Sequence, residues 1–209
     1  MHLRKSLIAV ATVITLTLLP VTAANAAEPA GSSSPETTTT FMPMVVKGYD
    51  SSVAAANGYK IVTNTDGAQS SVPVTAAAKA QDQLAKQMRA DALSGGSAMT
   101  AAANGGDKWG DCGGSGISAV KQANDQLAWH TWFTVFGAAS GYSWNVSAIG
   151  AITTNSWHMS GNGPASGSKS FDGGGRVVGP GYATVPIWSV VTLVNGAVCY
   201  SLGPIAWFG

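Results

Sequence analysis

The sequence predicts a mainly β protein: a disulfide-closed antiparallel β-sandwich in the C-terminal half, preceded by a small helix-plus-hairpin region. Three observations support this prediction. All seven tryptophans and most of the 26 glycines fall within residues 107–209. Apolar and polar residues alternate there with a period of two, as in half-buried strands. The two cysteines lie in the same range, and only 10% of all residues are charged, which argues against an exposed helical bundle.

The first 26 residues have the pattern of a secretory signal peptide. Arg4 and Lys5 supply a positive start, an uncharged apolar stretch runs from Leu7 to Leu19, and Ala24-Asn25-Ala26 offers the small-residue pattern that signal peptidase requires. The apolar stretch is short for a bilayer core of about 30 Å. We therefore expect cleavage after Ala26, no stable membrane insertion afterwards, and a secreted, extracellular protein of bacterial type.

Two segments have the composition of flexible linkers. Residues 27–44 combine prolines, serines and a run of four threonines, and residues 95–106 combine glycine, alanine and small polar residues. Such stretches carry too little apolar surface to offset the entropy of ordering. The sequence therefore predicts a linker over 27–44, a small α/β region over 45–94, a second linker over 95–106 and a sandwich domain over 107–209.

Residues 45–94 carry clear signals for a helix, a hairpin and a second helix. Asp50 suits a helix N-cap, Gly58 a helix end and Asp66-Gly67 a hairpin turn. Pro73 places the second strand at an edge, because proline cannot donate a ladder hydrogen bond. The predicted elements are a helix over Ser51–Asn57, strands over Tyr59–Thr63 and Ser70–Val74, and a helix over 75–93 capped by Thr75.

The sandwich region is predicted to hold at least four strands. Two of them follow from alternation with a period of two, and two follow from apolar runs that flank Asn195-Gly196, a strong hairpin signal because both turn residues need a positive φ. Asp172, which three glycines follow, is predicted to lie in a turn. The four strands are Gln126–Phe136, Tyr142–Ala148, Val185–Val194 and Ala197–Leu202.

Cys112 and Cys199 are expected to form a disulfide bond, because export would place them in an oxidising compartment. The bond would close a loop of 87 residues, which the chain-entropy model values at roughly 4–5 kcal/mol. The segment from Gly110 to Gly116 resembles the nucleophile loop of chymotrypsin-like proteases, with Cys112 in the nucleophile position. That family places its catalytic histidine upstream, where this chain has only His2, and a disulfide-bonded cysteine cannot attack a substrate.

The charged residues argue against several classes of function. A net charge of +1 without basic blocks gives no electrostatic footprint for nucleic acid. Glycoside hydrolysis needs paired carboxylates, but both glutamates fall in the predicted linker. The acids of the sandwich region are scattered: Asp107, Asp111, Asp125 and Asp172. His130 and His158 are isolated, without metal-ligand spacing. We therefore expect no catalytic residues, no metal and no cofactor.

The density of tryptophan is the unusual feature of the sandwich region. Trp129, Trp144 and Trp188 are expected to fill the space between the sheets. Trp132 faces away from Trp129 and has His130 and Thr134 beside it, so it could stand outside as a platform on which sugar rings stack. Trp157 lies beside a glycine-rich loop and could join it. The predicted binding residues are therefore His130, Trp132, Trp157 and His158.

From these observations we expect a secreted, non-catalytic protein that binds cell-wall or extracellular polysaccharide through an aromatic face. Two alternatives stay open. One is a secreted antagonistic protein of the bacteriocin type, in which residues 45–94 are a pro-segment removed by cleavage near Ser97. The other is a secreted hydrolase that uses Asp111 or His130.

Overall fold

A computed structural model describes residues 37–94 and 109–209 and shows a mainly β protein with two helices. The predicted signal peptide, residues 27–36 and the predicted linker over 95–106 lie outside these ranges. The strands are β1 Thr38–Tyr49, β2 Tyr59–Thr63, β3 Gln69–Pro73, β4 Gly113–Lys121, β5 Gln126–Val135, β6 Ala139–Gly150, β7 Thr154–Asn162, β8 Ser168–Arg176, β9 Gly181–Thr184, β10 Val190–Leu193, β11 Ala197–Ser201 and β12 Ile205–Phe208. The helices are α1 Ser51–Ala56 and α2 Ala76–Leu93, and neither is long and apolar enough to cross a membrane.

The main sheet has ten antiparallel strands and folds back on itself as a sandwich, as predicted. Nine strands follow the order β12-β9-β6-β10-β11-β1-β4-β5-β8, and β7 pairs with the other side of β6. The two halves face each other through aromatic contacts: Phe133 of β5 and Trp144 of β6 have ring centroids 5.1 Å apart. Strand β12 lies beside β1, where the Thr40 hydroxyl donates to the Ile205 carbonyl at 2.8 Å.

The core explains why β5 alternates so regularly in sequence. Every second residue of this strand is buried between the two layers, while the residues between them face outward. Thr131 is a polar member of the buried set, and its hydroxyl donates to the Gly116 carbonyl at 2.7 Å and accepts the Trp144 indole N–H at 3.2 Å. The buried hydroxyl is thus fully used, as buried polar groups require.

Residues 38–44 form the first half of β1, although their composition predicted a linker. The strand lies between β4 and β11: its first half, up to Met44, pairs with β4, and its second half, from Met44 onwards, pairs with β11. Met44 is fully buried. Threonine is β-branched and favours a pleated, half-buried surface when partner strands are present. Those partners lie far along the chain, so a run of threonines viewed locally predicts low complexity instead of a central strand.

The helix-plus-hairpin region follows its predicted elements closely. The Asp50 carboxylate caps α1 by accepting the Ser52 and Val53 backbone N–H groups. The Ser52 hydroxyl and these N–H groups stabilise the carboxylate and lower the pKa of Asp50. Gly58 has the expected positive φ of 77°. Helix α2 is anchored through Tyr59, whose hydroxyl donates to the Ala78 carbonyl at 2.9 Å in a small separate core.

Three local predictions in the sandwich region are wrong. The strand predicted from Val185 begins only at Val190, because the chain turns between Pro186 and Ser189. Asp172 lies inside β8, paired with His130 of β5, and not in a turn. The glycines after it serve packing, since a Cβ at Gly173 would overlap the Trp129 indole. Trp188 does not fill the space between the sheets: it is 62% exposed. It lies in a tight turn closed by a hydrogen bond from the Ser189 N–H to the Pro186 carbonyl at 2.9 Å, which directs the indole outward.

The predicted disulfide is present. Cys112 and Cys199 are bonded, with their Cα atoms 5.9 Å apart. Cys199 belongs to β11 and Cys112 immediately precedes β4, so the bond links the two strands that flank β1. Both cysteines are buried in the main core. The bond therefore fixes the distance between the two strands that lie on either side of β1.

Replacing both cysteines (Cys112→Ala with Cys199→Ala) is expected to lower the free energy of unfolding by about 2–5 kcal/mol, since the 87-residue loop becomes unrestrained in the unfolded chain. Urea unfolding of the two proteins measures the difference. Adding a reductant should destabilise the wild type and leave the double variant unchanged. An equal response of both proteins to the reductant would contradict the assignment.

Tyr59 predicts a loss of stability in alkaline solution. Burial, and secondarily the negative charge of Asp82, raise the pKa of Tyr59 in the folded protein. As the pH rises, Tyr59 therefore ionises first in the unfolded chain, near pH 10. Its contribution to the free energy of unfolding is present in full below that pH and is lost as the pH rises towards the pKa in the folded protein. At neutral pH, Tyr59→Phe should lower the free energy of unfolding by about 0.5–1.5 kcal/mol, because the hydrogen bond of the hydroxyl is lost. Between pH 8 and pH 10.5, the free energy of unfolding measured in urea should fall less steeply for Tyr59→Phe than for the wild type. Equal slopes would contradict this role; the pKa of Tyr49, also raised, is a background common to both proteins.

Candidate functional site

The outer surface of β1, β4, β5 and β8 carries a row of aromatic side chains that we call the aromatic face. It consists of Phe41, Trp109, His130 and Trp132. Phe41 of β1 and Trp132 of β5 lie opposite the same residue of β4, Gly116, in the sheet register. Because one strand separates them, their backbones are about 10 Å apart, twice the spacing between neighbouring strands.

Glycines in β4 fix the position of both rings. A Cβ at Gly114 would overlap the Phe41 ring, and a Cβ at Gly116 would overlap the Trp132 indole. Each ring therefore lies close against the backbone of β4 where a side chain would otherwise stand. Trp132 is half-buried as a result, with one side of the indole against the sheet.

Trp109 closes one end of the aromatic face. Its ring packs edge-on against Phe41 with centroids 5.0 Å apart and contacts Phe136 at 5.6 Å. Phe136 is buried, so Trp109 is anchored at the border of the core. The row of rings thus runs from the margin of the core across β1 to β5.

Polar groups lie at the other end of the aromatic face. The His130 ring stacks on Trp132 with centroids 5.5 Å apart and an interplanar angle of 29°. Its Nδ1 is 2.7 Å from Oδ1 of Asp172 on β8. Asp172 is 82% exposed, so this pair contributes little to stability and instead orients the imidazole. Nearby, the Ser168 hydroxyl donates to the Thr134 hydroxyl at 3.1 Å.

The structure brings together only two of the four predicted binding residues. His130 and Trp132 share the aromatic face, but Trp157 points into the sandwich from β7. There it packs on Trp129 with centroids 5.3 Å apart. His158 faces outward on β7, where its Nδ1 lies 2.9 Å from Oδ1 of Asn145. Trp157 therefore supports the core, and His158 belongs to a different surface.

Phe41 and Trp109 were not predicted from the sequence. Phe41 fell inside the predicted linker, and its strand is recognisable only through partners that are distant along the chain. The signal that could have indicated it is the apolar run from Phe41 to Val46, which is unusual for a linker. Trp109 offers no comparable local signal, since its role follows from its contacts alone.

The groups considered for catalysis are engaged elsewhere. Cys112 is held in the disulfide, and the Asp111 carboxylate accepts the Val46 backbone N–H at 3.0 Å. The His130 ring bonds to Asp172. Ser118 pairs with His130 from β4, but its hydroxyl donates to the His130 backbone carbonyl and not to the imidazole. In the part of the chain that the structure describes, three or more ligating side chains do not come together as a metal site.

No protein-family model, curated protein or solved structure matches this chain. The site is therefore interpreted from its own geometry. Flat apolar rings fixed on a rigid sheet can stack against flat apolar surfaces of a ligand. The imidazole, carboxylate and hydroxyl groups at the border can donate and accept hydrogen bonds. This combination suits a neutral ligand that has both an apolar face and a hydroxyl-rich edge.

The glycine platform can be tested with a matched pair of substitutions. Gly116→Ala is expected to displace the Trp132 ring, lower the free energy of unfolding by about 1–3 kcal/mol and change the near-ultraviolet circular dichroism. Gly48→Ala in β1 is the control, because a Cβ there meets no atom within 4 Å. Equal stabilities and unchanged spectra for the two variants would show that Trp132 does not depend on Gly116.

Proposed function

We propose that this protein binds polysaccharide of the cell envelope or the extracellular space through the aromatic face. The observation that carries the proposal is the pair Phe41 and Trp132, whose rings both lie close against glycines of β4. Their separation of about two strand spacings, or about 10 Å, is on the order of the length of a disaccharide. Consecutive sugar units of one polymer chain could therefore occupy the two platforms.

The chemistry of a pyranose ring fits this surface. Its axial C–H groups form a weakly polar face that stacks on the electron-rich face of an aromatic ring. Its hydroxyl groups lie around the edge, where they could reach His130, Asp172 and the hydroxyls of Thr134 and Ser168. Because the rings are held by packing, little side-chain entropy is lost on binding.

The position of β1 weighs against the alternative of a removable pro-segment. Removal of residues 45–94 would take Val45–Tyr49 out of the sheet, where they pair with β11. It would also remove Tyr59 and α2, which pack as a unit with α1. The region 45–94 is therefore best understood as a permanent part of the fold.

The test is retention on insoluble polymers with two tryptophan variants. The wild type is incubated with cellulose, chitin and purified peptidoglycan, and the bound fraction is measured against polymer concentration. Trp132→Ala is expected to weaken binding at least tenfold, as loss of a central aromatic contact does at other interfaces. Trp188→Ala is the matched control, because Trp188 is 62% exposed in the turn closed by Pro186 and Ser189, outside the aromatic face, and its loss is expected to leave retention unchanged.

Absence of wild-type retention on all three polymers would overturn the proposal. So would equal retention of the wild type and Trp132→Ala, because binding would then use another surface. Circular dichroism and the thermal midpoint of each variant establish that the fold is intact. Polymer retention by Phe41→Ala provides a second test, at the neighbouring ring of the aromatic face.

A further inference from the structure

The opposite side of the sandwich carries a second exposed apolar surface. It lies on the outer surface of β6, β9 and β12, and we call it the apolar stripe: Ile149, Tyr182, Ile205 and Trp207. The register of these strands places Ile149, Tyr182 and Trp207 in one row across the sheet. Tyr182 and Trp207 contact each other with ring centroids 5.3 Å apart.

The stripe places several large, partly exposed apolar side chains next to one another. Trp207 is 62% exposed, Ile205 39% and Ile149 37%. Contiguous exposed patches of large apolar side chains mark interaction surfaces more often than isolated ones do. Tryptophan and tyrosine are also the residues that contribute most where a protein surface meets a partner.

The chemistry of the stripe narrows the partner. From Val177 to Gly209 the chain has no Asp, Glu, Lys, Arg or His, so β9 and β12 bring no charge to this surface. Without lysine or arginine, these strands offer no attraction to anionic lipid headgroups or to an acidic partner. A second copy of the same surface is a complementary partner, because two neutral surfaces related by a two-fold axis meet without like-charge repulsion.

The edge of β12 indicates how two copies would meet. The carbonyls of Ile205 and Trp207 already accept hydrogen bonds from the hydroxyls of Thr40 and Thr38. This side of β12 is therefore occupied within the chain, so the sheet is not expected to extend into a partner by strand addition. The broad surface of the sheet, and not its edge, is what the stripe offers for contact.

We infer that two copies of this chain associate through the apolar stripe, face to face across a two-fold axis. The sheets would then pack about 10 Å apart, as in sheet-on-sheet packing within proteins. Because the aromatic face lies on the other side of each sandwich, the dimer presents two aromatic faces that point away from each other. On the proposed function, such a dimer would hold two polymer chains at once and gain avidity on a surface.

The experiment measures the oligomeric state of the full chain in solution over a wide range of concentration. Sedimentation equilibrium of the wild type is expected to give a concentration-dependent monomer–dimer equilibrium. Trp207→Ser should raise the dimer dissociation constant at least tenfold. Ile205→Lys should do the same by bringing a like charge from each copy into the contact, while Trp132→Ala on the aromatic face should leave the dissociation constant unchanged.

The same samples separate this inference from the proposed function. Contact with the polymer requires Trp132 and association requires Trp207, so either result can fail while the other holds. Trp207→Ser is expected to lower retention only through the loss of avidity. A wild type that stays monomeric at every concentration would overturn the inference. So would a dimer that is as stable in Trp207→Ser and Ile205→Lys as it is in the wild type. A monomer whose tryptophan fluorescence shifts with neutral phosphatidylcholine vesicles would assign the stripe to a lipid surface instead, provided that Trp207→Ser abolishes the shift.

Discussion

Contact between aromatic rings and glycine backbone is the constraint on which this fold depends. Inside the sandwich, a Cβ at Gly173 would overlap the Trp129 indole, and outside it a Cβ at Gly116 would overlap that of Trp132. These indoles come from positions three residues apart in β5, on its opposite faces, and lie against glycines of the strands on either side. The abundance of glycine and the abundance of tryptophan therefore have one cause, because the glycines of β4 and β8 leave the space that the rings of β5 occupy. Elsewhere the same close approach brings backbone to backbone, as at Gly110, where a Cβ would overlap the Met44 carbonyl.

Local chemistry predicted those elements whose cause is local. The alternation of β5 and β6 follows from their position between the core and solvent. The hairpin turn is present, with a positive φ of 87° at Gly196, but Asn195 lacks the positive φ predicted for both turn residues. The cap at Asp50 and the end of α1 at Gly58 likewise depend on residues within a few positions. The disulfide followed from counting cysteines, because two cysteines allow a single pairing. None of these predictions requires knowledge of which strands become neighbours.

The predictions that failed depend on neighbours distant in sequence. The threonines of β1 become a strand because β4 pairs with them and the hydroxyls of Thr38 and Thr40 donate to carbonyls of β12. Asp172 and its glycines form a strand because β5 offers both a pairing edge and the Trp129 ring. For the candidate site, alternation alone was enough to place Trp132 and His130 outside. It could not supply Phe41, whose place follows from the register between β1 and β4. Nor could it supply Trp109, whose place follows from its contacts with Phe41 and Phe136.

The two outer surfaces expose aromatic side chains in different ways, and the difference bears on the kind of partner each suits. Trp132 lies close against glycine, so one side of its ring is already out of water and the cost of exposing the other is limited. A surface of that kind is stable when empty and suits a ligand that binds and leaves. Trp207 stands 62% exposed beside Tyr182 in a stretch without charge. The free-energy cost of leaving such a surface in water grows with its exposed apolar area, and burial against a partner would remove that cost. On the two proposals, the sandwich separates a ligand-binding surface from a dimer surface, with the shared core of β5 and β6 aromatic rings between them.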